Sequence, residues 1–182
     1  GAIIGFSDEF VEKRLKEIAE ESGEPVYFAN YNGPGQVVIT GSKKGIKLAC
    51  KIFKSEGAKK AVPLAIGGSF HSPYVEEARS ELGLIIENTD FKKPRIPIYQ
   101  CVDGKRHVDI DEIKANLIDH ITHPVLWTQI VRNLEQDGIT EYYEVGTDDT
   151  LQKIVTRMCP DKKVASLTEI STYMNKITYF KK

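Results

Sequence analysis

The apolar positions of the first 66 residues alternate between helix-like and strand-like spacing. Helical spacing predicts two helices, one that begins at Ser7-Asp8 and ends at Gly23 and one from 42 to 55. Short apolar runs predict strands at 2–6, 25–31, 36–40 and 60–66, with turn residues 32–35 joining the second and third into a hairpin. The order βαββαβ is that of a ferredoxin-like unit, which we predict as a small subdomain over residues 1–66.

Beyond residue 66 single strands and helices alternate. The pattern predicts helices at 72–87, 111–121, 125–136 and 150–158, strands at 96–102, 141–146 and 163–167, and a short amphipathic tail. Pro97 favours an edge position or a later start for its strand, and residues 105–107 are predicted as a solvated loop. This alternation favours a parallel sheet, so we predict an α/β fold with 67–182 as a second domain.

A histidine stands between the fourth predicted strand and the helix that follows it. Gly67 and Gly68 break the apolar run, His71 comes next, and Ser72-Pro73 has the sequence of a helix start. A loop held between rigid elements is a common place for catalytic side chains, and histidine titrates near neutral pH. From position alone, His71 is either a catalytic group or a packed core residue.

Composition excludes several classes of protein. The 182 residues carry 25 Lys and Arg against 26 Asp and Glu, which is unlike the basic excess of nucleic-acid binders. No apolar run approaches the ~20 residues that span a bilayer, and no signal peptide is visible, so we predict a soluble, cytoplasmic protein without nucleic-acid or membrane partners. Cys50, Cys101 and Cys159 fit neither a disulfide framework nor a zinc site, and we expect inert thiols.

Two further patterns give little support for a metal site or a phosphate-binding loop. His120 and His123 are spaced for a shared ligand, but no acidic or cysteine partner lies at a diagnostic spacing, so helix-end packing or capping is favoured over a metal. Gly33-Pro34-Gly35 lacks the Gly-Lys-Ser/Thr of a phosphate-binding loop. We therefore predict neither a metal nor a bound cofactor.

Five ordered segments of the chain form a recognisable set. They are Ala29 to Gly41, Gly68-Ser69-Phe70-His71-Ser72-Pro73, Pro97 to Asp103, His123-Pro124-Val125-Leu126-Trp127 and Tyr143-Glu144-Val145-Gly146. Taken together, they resemble malonyl-CoA:acyl carrier protein transacylases and the related acyltransferase domains of polyketide synthases. The likeness covers essentially the whole chain and is weakest after Met158.

The resemblance implies a ping-pong acyl transfer. A serine takes malonyl from the thioester of malonyl-CoA and passes it to the phosphopantetheine thiol of acyl carrier protein, and no cofactor is needed beyond these partners. His71 matches the histidine that activates the serine and then the thiol. His120 matches the position whose backbone carbonyl receives the other ring N–H of that histidine, although the transacylases usually have Gln there.

The resemblance also assigns substrate-binding positions. Asn30 and Asn32 match polar residues that line the acyl and pantetheine cleft, while side-chain capping of the hairpin turn is the alternative. Phe70 precedes the base, and in this family a Phe-His pair accompanies selection of malonyl whereas Ser-His often accompanies methylmalonyl. The alternative for Phe70 is simple packing beneath the loop.

The chain departs from the family pattern in one large respect. It has no Gly-x-Ser-x-Gly nucleophile elbow, and Ser69, two residues before His71, is not expected to be the nucleophile. The resemblance is therefore to the C-terminal portion of the enzyme, comprising the ferredoxin-like subdomain and the last part of an α/β-hydrolase-like acyltransferase domain. Because the chain starts without Met in a strand-like run, we expect a missing N-terminal half that is lost, disordered or a separate chain. We expect the chain by itself to be inactive because it encodes neither the nucleophile nor the oxyanion donors. The alternatives are a non-catalytic module that binds acyl carrier protein and an unrelated ferredoxin-like interaction domain.

Overall fold

The fold comes from a computed structural model in which residues 1–166 are described. The first six elements are β1 (Ala2–Ile4), α1 (Asp8–Ser22), β2 (Val26–Gly33), β3 (Gln36–Gly41), α2 (Lys43–Ser55) and β4 (Lys60–Val62). They are followed by a short 3-10 helix (Pro73–Val75), α3 (Glu76–Glu87), β5 (Ile98–Tyr99), β6 (Arg106–His107), α4 (Ile110–Asp119), α5 (Trp127–Gln136), β7 (Glu141–Glu144), α6 (Thr150–Met158) and β8 (Lys163–Ser166). The predicted order βαββαβ of the first elements is confirmed.

The first four strands form an antiparallel sheet in the order β2-β3-β1-β4. The core on this sheet joins side chains of α1 and α2 to those of the strands. It consists of Ile3, Val11, Leu15, Ile18, Val26, Phe28, Val37, Ile39, Ala49, Cys50, Phe53 and Ala61, all buried. Burial of each aliphatic or aromatic side chain contributes roughly 1.5–3 kcal/mol, so this cluster is the main source of stability for residues 1–62.

The ends of the first two helices lie where their capping residues predict them. Ser7 Oγ accepts the backbone N–H of Phe10 at 3.2 Å, and Ser42 Oγ accepts that of Gly45 at 2.9 Å. Gly23 ends α1 at φ 69°, a left-handed conformation that glycine adopts without steric cost. The predicted bounds of α1 and α2 are confirmed.

β4 is shorter than the predicted strand at 60–66. Among the described strands it pairs with β1 alone, where Val62 lies opposite Ala2 and Lys60 opposite Ile4. The next residue, Pro63, has no N–H to donate to a continuing ladder. Residues 63–71 are therefore a loop that ends at His71.

The prediction for residues 96–107 is wrong in two places. The strand expected at 96–102 is only Ile98–Tyr99, directly after Pro97, and the expected loop at 105–107 contributes its partner strand β6. The chain reverses at Gly104, where φ is 70°. Arg106 and His107 lack the apolar signal of a strand, which is why the pattern missed it.

His107 is held between two carboxylates and is not solvated. Its Nε2 lies 2.8 Å from Asp103 Oδ2 and its Nδ1 lies 3.0 Å from Glu112 Oε2. The amide of Asn116 lies 3.1 Å from the same Nε2 and donates to Gln100 Oε1 at 3.0 Å. This polar cluster connects the β5-β6 hairpin to α4.

Two later helices also begin differently from the prediction. Ser72 caps the helical segment as expected, accepting the N–H of Tyr74, but the first turn is the 3-10 helix and α3 begins at Glu76. α5 begins at Trp127, two residues after the predicted start. The N–H groups of Val125 and Leu126 donate instead to the carbonyls of Ala29 and Cys101, both at 2.8 Å.

Contacts divide the chain into two compact units, Gly1–Ile130 and Val131–Lys182. In the described part of the second unit, β7 and β8 pair in parallel around α6, in line with the predicted parallel sheet. The predicted boundary between residues 66 and 67 stays a prediction, and the predicted tail and Leu167 lie outside the described residues. Up to residue 166, no helix has both the length and the apolar character needed to cross a membrane.

Candidate active site

His71 is held in an unusual backbone conformation at the end of the loop that follows β4. Its φ is 57°, and among residues 1–166 it is the only residue other than glycine with a positive φ. Its backbone N–H donates to Ile121 O at 3.1 Å. Left-handed conformations cost a residue with a Cβ roughly 1–2 kcal/mol, so the surrounding contacts, and not the local sequence, hold His71 in place.

The ring of His71 is fixed through one nitrogen. Nδ1 lies 3.0 Å from the carbonyl oxygen of His120 and 3.1 Å from that of His123. Since a carbonyl only accepts, both contacts require the proton on Nδ1 and leave Nε2 with its lone pair. No described residue forms a hydrogen bond with Nε2, so this nitrogen is free to take a proton.

The two carbonyls are available because α4 ends next to them. A helix leaves its last carbonyls without intrahelical partners, and His120 is the C-cap of α4. His123 Nδ1 lies 2.7 Å from Asp119 O, and Pro124 follows it. The contact of His123 with Asp119 fits the predicted helix-end capping, which was favoured over a metal. The expected contact between His71 and the His120 carbonyl is present.

The side chain of His120 lies beside that of His71. Their ring centroids are 4.9 Å apart with an interplanar angle of 37°. Burial, and after it the neighbouring His71, lowers the pKa of His120 below its ordinary value. His120 therefore stays neutral beside the candidate base, and its carbonyl is the group that contacts His71.

A chain of three hydroxyls anchors the loop to the end of β3. Thr40 Oγ1 lies 3.0 Å from Ser69 Oγ, which lies 3.2 Å from Ser72 Oγ, and Ser72 donates to the carbonyl of Ser69 at 2.6 Å. Ser72 is 1% exposed. The Ser69 hydroxyl is thus engaged away from the ring of His71, in agreement with its exclusion as nucleophile.

Thr40 is a residue that sequence reasoning missed. It lies 29 residues before Ser69, and nothing in its spacing or in the motifs connects the two hydroxyls. The only available signal was its buried position at the end of a predicted strand, next to the Gly41 turn. Its contact makes the end of β3 part of the support for His71.

A cavity of about 540 Å³ opens beside His71. Phe70 and Asn30 also line it, whereas Asn32 is not among its lining residues. Phe70 is 55% exposed, which does not fit a role as a core anchor beneath the loop. The structure thus brings three of the predicted site residues to one cavity.

Asn30 and Asn32 both lie within β2 and do not cap the hairpin turn. Next to Asn30, Tyr31 N–H donates to Val125 O at 2.9 Å, forming an isolated parallel bridge with the segment before α5. Thr128 Oγ1 donates to Tyr31 O at 2.9 Å. These contacts hold β2, which carries Asn30, against the residues that follow His123. The cavity wall at Asn30 is thereby fixed relative to the carbonyls that bind His71.

The geometry of the site indicates a class of chemistry. A histidine with one nitrogen bound to backbone carbonyls and the other open to a cavity is typical of enzymes that use histidine as a general base. Residues 1–166 contain no group of three or more His, Cys, Asp or Glu side chains placed to hold a metal ion. The arrangement is therefore suited to proton transfer at Nε2 of His71.

The homologues of this chain are malonyl CoA-acyl carrier protein transacylases. The chain is 33% identical over 172 residues to the one from Haemophilus influenzae, covering 94% of this chain and 54% of the relative, and 31% identical over 171 residues to the one from Bacillus subtilis, with the same coverage. It thus spans about half the length of the curated relatives it matches, and it corresponds to their C-terminal portion. No protein-family model matches the chain.

Solved structures agree with the sequence relatives. An acyl-carrier-protein S-malonyltransferase from Burkholderia pseudomallei superposes with a TM-score of 0.86 at 33% identity, covering 91% of this chain and 53% of that one. A malonyl-transacylase in complex with its type II polyketide synthase acyl carrier protein superposes with a TM-score of 0.83 at 31% identity, covering 91% of this chain and 52% of that one. The mixed α/β fold thus matches acyltransferase structures, and the resemblance to malonyl-CoA:acyl carrier protein transacylases is confirmed.

Proposed function

We propose that this chain is part of a malonyltransferase that moves malonyl from CoA to the phosphopantetheine thiol of acyl carrier protein. The names of its relatives support the donor and the acceptor. A serine oxygen attacks the thioester carbonyl while the base takes its proton, and CoA leaves as the thiol. The same base then takes the proton of the carrier thiol, and the thiol attacks the malonyl ester. The serine oxygen leaves and is regenerated as the hydroxyl. No cofactor is required.

His71 is the proposed base, and the geometry of its ring is the observation that carries this proposal. The carbonyls of His120 and His123 hold the proton on Nδ1, so the lone pair of Nε2 lies at the cavity in every turnover. His120 acts as a positioning residue through its backbone. We assign the nucleophilic serine to a part of the enzyme other than these 182 residues, which contain no Gly-x-Ser-x-Gly.

We further infer how the subdomains of the enzyme are distributed over the chain. The order βαββαβ and the sheet order β2-β3-β1-β4 support a ferredoxin-like small subdomain. The parallel β7-α6-β8 unit supports the last part of an α/β-hydrolase-like acyltransferase domain. Cys50, Cys101 and Cys159 are all free, which supports a reducing compartment such as the cytoplasm.

Replacement of His71 by Asn in the complete enzyme tests the proposed base. Asn tolerates a left-handed backbone and keeps an N–H donor for the His120 carbonyl, but it has no basic nitrogen. We expect malonyl transfer to fall by at least ~10³-fold with the unfolding temperature nearly unchanged. The measurement is the steady-state transfer rate from malonyl-CoA to holo acyl carrier protein, with thermal unfolding on the same samples.

His123→Gln is the matched control, because it changes an exposed imidazole next to the site and leaves the backbone carbonyl in place. It should keep most of the activity. Near wild-type turnover of the His71→Asn enzyme would contradict the proposal, and so would an equal loss in both variants.

A module that binds acyl carrier protein without catalysis is the second candidate. The observation in its favour is that no serine, threonine or cysteine side chain of residues 1–166 forms a hydrogen bond with the ring of His71. The complete protein separates the two functions. An enzyme forms a covalent malonyl ester with malonyl-CoA, whereas a binding module retains holo acyl carrier protein but forms no ester.

A further inference from the structure

Among the described residues that line the cavity beside His71, some side chains are positively charged and none is acidic. Among the described residues that line it, Lys43 and Lys47 are the charged side chains, and no Asp or Glu is present. Neither lysine forms an ion pair within residues 1–166. The rest of the wall is apolar or uncharged and includes Val38, Ile39, Ile46 and Leu64. A cavity of this character is complementary to a ligand that has an anionic group and an uncharged part.

The fold places the two lysines on one face of α2, next to the support of His71. They are four residues apart, so their side chains project from the same face of the helix, where like charges destabilise it. α2 begins directly after β3, whose residue Thr40 binds Ser69 of the His71 loop. The lysines and His71 therefore line the same cavity.

The N-terminus of α2 does not itself account for an anion site. Ser42 Oγ, which caps the helix, also donates to the carboxylate of Glu24 at 2.5 Å. Glu24 does not line the cavity, and it occupies the cap position that an anion would otherwise take. The evidence for an anion site is therefore the two lysine side chains and the absence of carboxylates from the described lining.

We propose that Lys43 and Lys47 bind the phosphate end of a phosphopantetheine chain whose thiol end reaches His71. This inference rests on the proposed function, which supplies the chain. The phosphate has two sources with the same chemistry, since CoA carries the pantetheine phosphate and two further phosphates, whereas the carrier protein's arm carries only the first. Lysine binds phosphate as a point charge, so the contact strengthens binding of the whole substrate.

Binding measurements test the assignment without any need for catalysis. Isothermal titration of the complete protein with CoA, 4′-phosphopantetheine and pantetheine compares the wild type with K43Q/K47Q, in which glutamine removes the charge and has a helix propensity close to that of lysine. We expect the double variant to bind CoA about tenfold more weakly and with a smaller dependence on salt, while pantetheine binding is unchanged. K44Q/K51Q is the matched control, because these exposed lysines of the same helix do not line the cavity, and it should bind CoA as the wild type does.

The three ligands also distinguish the sources of phosphate. An equal loss for 4′-phosphopantetheine and CoA assigns the contact to the phosphate that both share, and a loss for CoA alone assigns it to the nucleotide phosphates. Either result supports the lysine site. Equal weakening by the two double variants, weaker pantetheine binding in K43Q/K47Q, or wild-type binding of CoA no tighter than pantetheine would overturn it. A protein that binds CoA through these lysines but transfers no malonyl would instead refute the proposed function alone.

Discussion

At the scale of single residues, Phe70 is the side chain whose environment bears most directly on the choice of substrate. It immediately precedes His71, lines the same cavity and is more than half exposed. Its ring lies over Gly68, where a Cβ would come within 2.8 Å of the Phe70 Cζ. The ring is therefore packed against Gly68 in the cavity that His71 also lines.

We expect Phe70→Ser to relax selection of malonyl against methylmalonyl. An α-methyl group has to share space with the phenyl ring, and overpacking of a fixed site costs ~1–3 kcal/mol, or about 10–200-fold in rate. Competition between malonyl-CoA and methylmalonyl-CoA in the complete enzyme measures the ratio of the two kcat/KM values, which should fall at least ~10-fold.

Tyr74→Ser supplies the control for this substitution. Tyr74 is 53% exposed, contacts the ring of Tyr27 edge-on and does not line the cavity. An unchanged ratio in folded Phe70→Ser enzyme, or an equal change in both variants, would mean that selectivity lies elsewhere.

The support of His71 divides into a part that the sequence predicts and a part that it does not. Ser72-Pro73 identifies a helix start, and the resemblance points to His71 and to the carbonyl of His120. The left-handed φ of His71 and the second carbonyl, from His123, follow from no residue pattern, because backbone atoms carry no signature in the sequence. Thr40 was missed for the related reason that its partner Ser69 is distant in the chain.

At the scale of elements, His107 makes the attachment of the β5-β6 hairpin to α4 dependent on pH. Its side chain is 12% exposed and lies between the carboxylates of Asp103 and Glu112. Burial lowers its pKa, but the hydrogen bonds and charges of the two carboxylates outweigh that effect and raise the pKa above the ordinary value of 6.5. The folded protein therefore binds the proton more tightly than the unfolded chain does.

The sign of the effect on stability follows from this shift. Because the pKa is raised on folding, the stabilisation is fully present below the ordinary pKa and is lost as pH rises through the folded value. We expect the free energy of unfolding of wild type to exceed that of His107→Gln by more at pH 5.5–6 than at pH 8.5. Urea unfolding at a series of pH values from 5.5 to 8.5 measures the difference.

Glu112→Gln is the control for the charge. It keeps a hydrogen-bond acceptor for Nδ1 but removes one carboxylate, so the pH dependence should shrink and not vanish. A difference between wild type and His107→Gln that stays constant from pH 5.5 to 8.5 would contradict the prediction.

Elements with their own start and stop signals were predictable, whereas elements defined by a partner were not. α1 and α2 carry cap residues and apolar positions at helical spacing, and their bounds were predicted closely. β5 ends where its partner strand ends, β4 ends before Pro63, and β6 consists of Arg106 and His107, which have no apolar signal. The start of α5 depends on hydrogen bonds from Val125 and Leu126 to distant residues, which no local pattern contains.

At the scale of the whole molecule, the chain contains the proposed base, His71, without a nucleophile bonded to it among the described residues. His71 is oriented and open to its cavity, but no side-chain hydroxyl or thiol of residues 1–166 forms a hydrogen bond with its ring. The 182 residues contain no Gly-x-Ser-x-Gly, and the chain spans about half the length of its curated relatives. A positioned base without a nucleophile supplies little rate, because proximity and preorganised oxyanion donors account for most of the acceleration in acyl transfer.

We therefore expect the 182-residue chain by itself to form no malonyl ester and to transfer no malonyl to holo acyl carrier protein. The measurement is intact mass of the purified chain after incubation with malonyl-CoA, together with the transfer assay. Ser69→Ala is the decisive variant, since Ser69 lies two residues before His71 in a segment that resembles a nucleophile elbow, and its hydroxyl is engaged with Thr40 and Ser72. An ester that forms on the wild-type chain and disappears in Ser69→Ala would make Ser69 the nucleophile, and the assignment of the serine to another part of the enzyme would then be wrong.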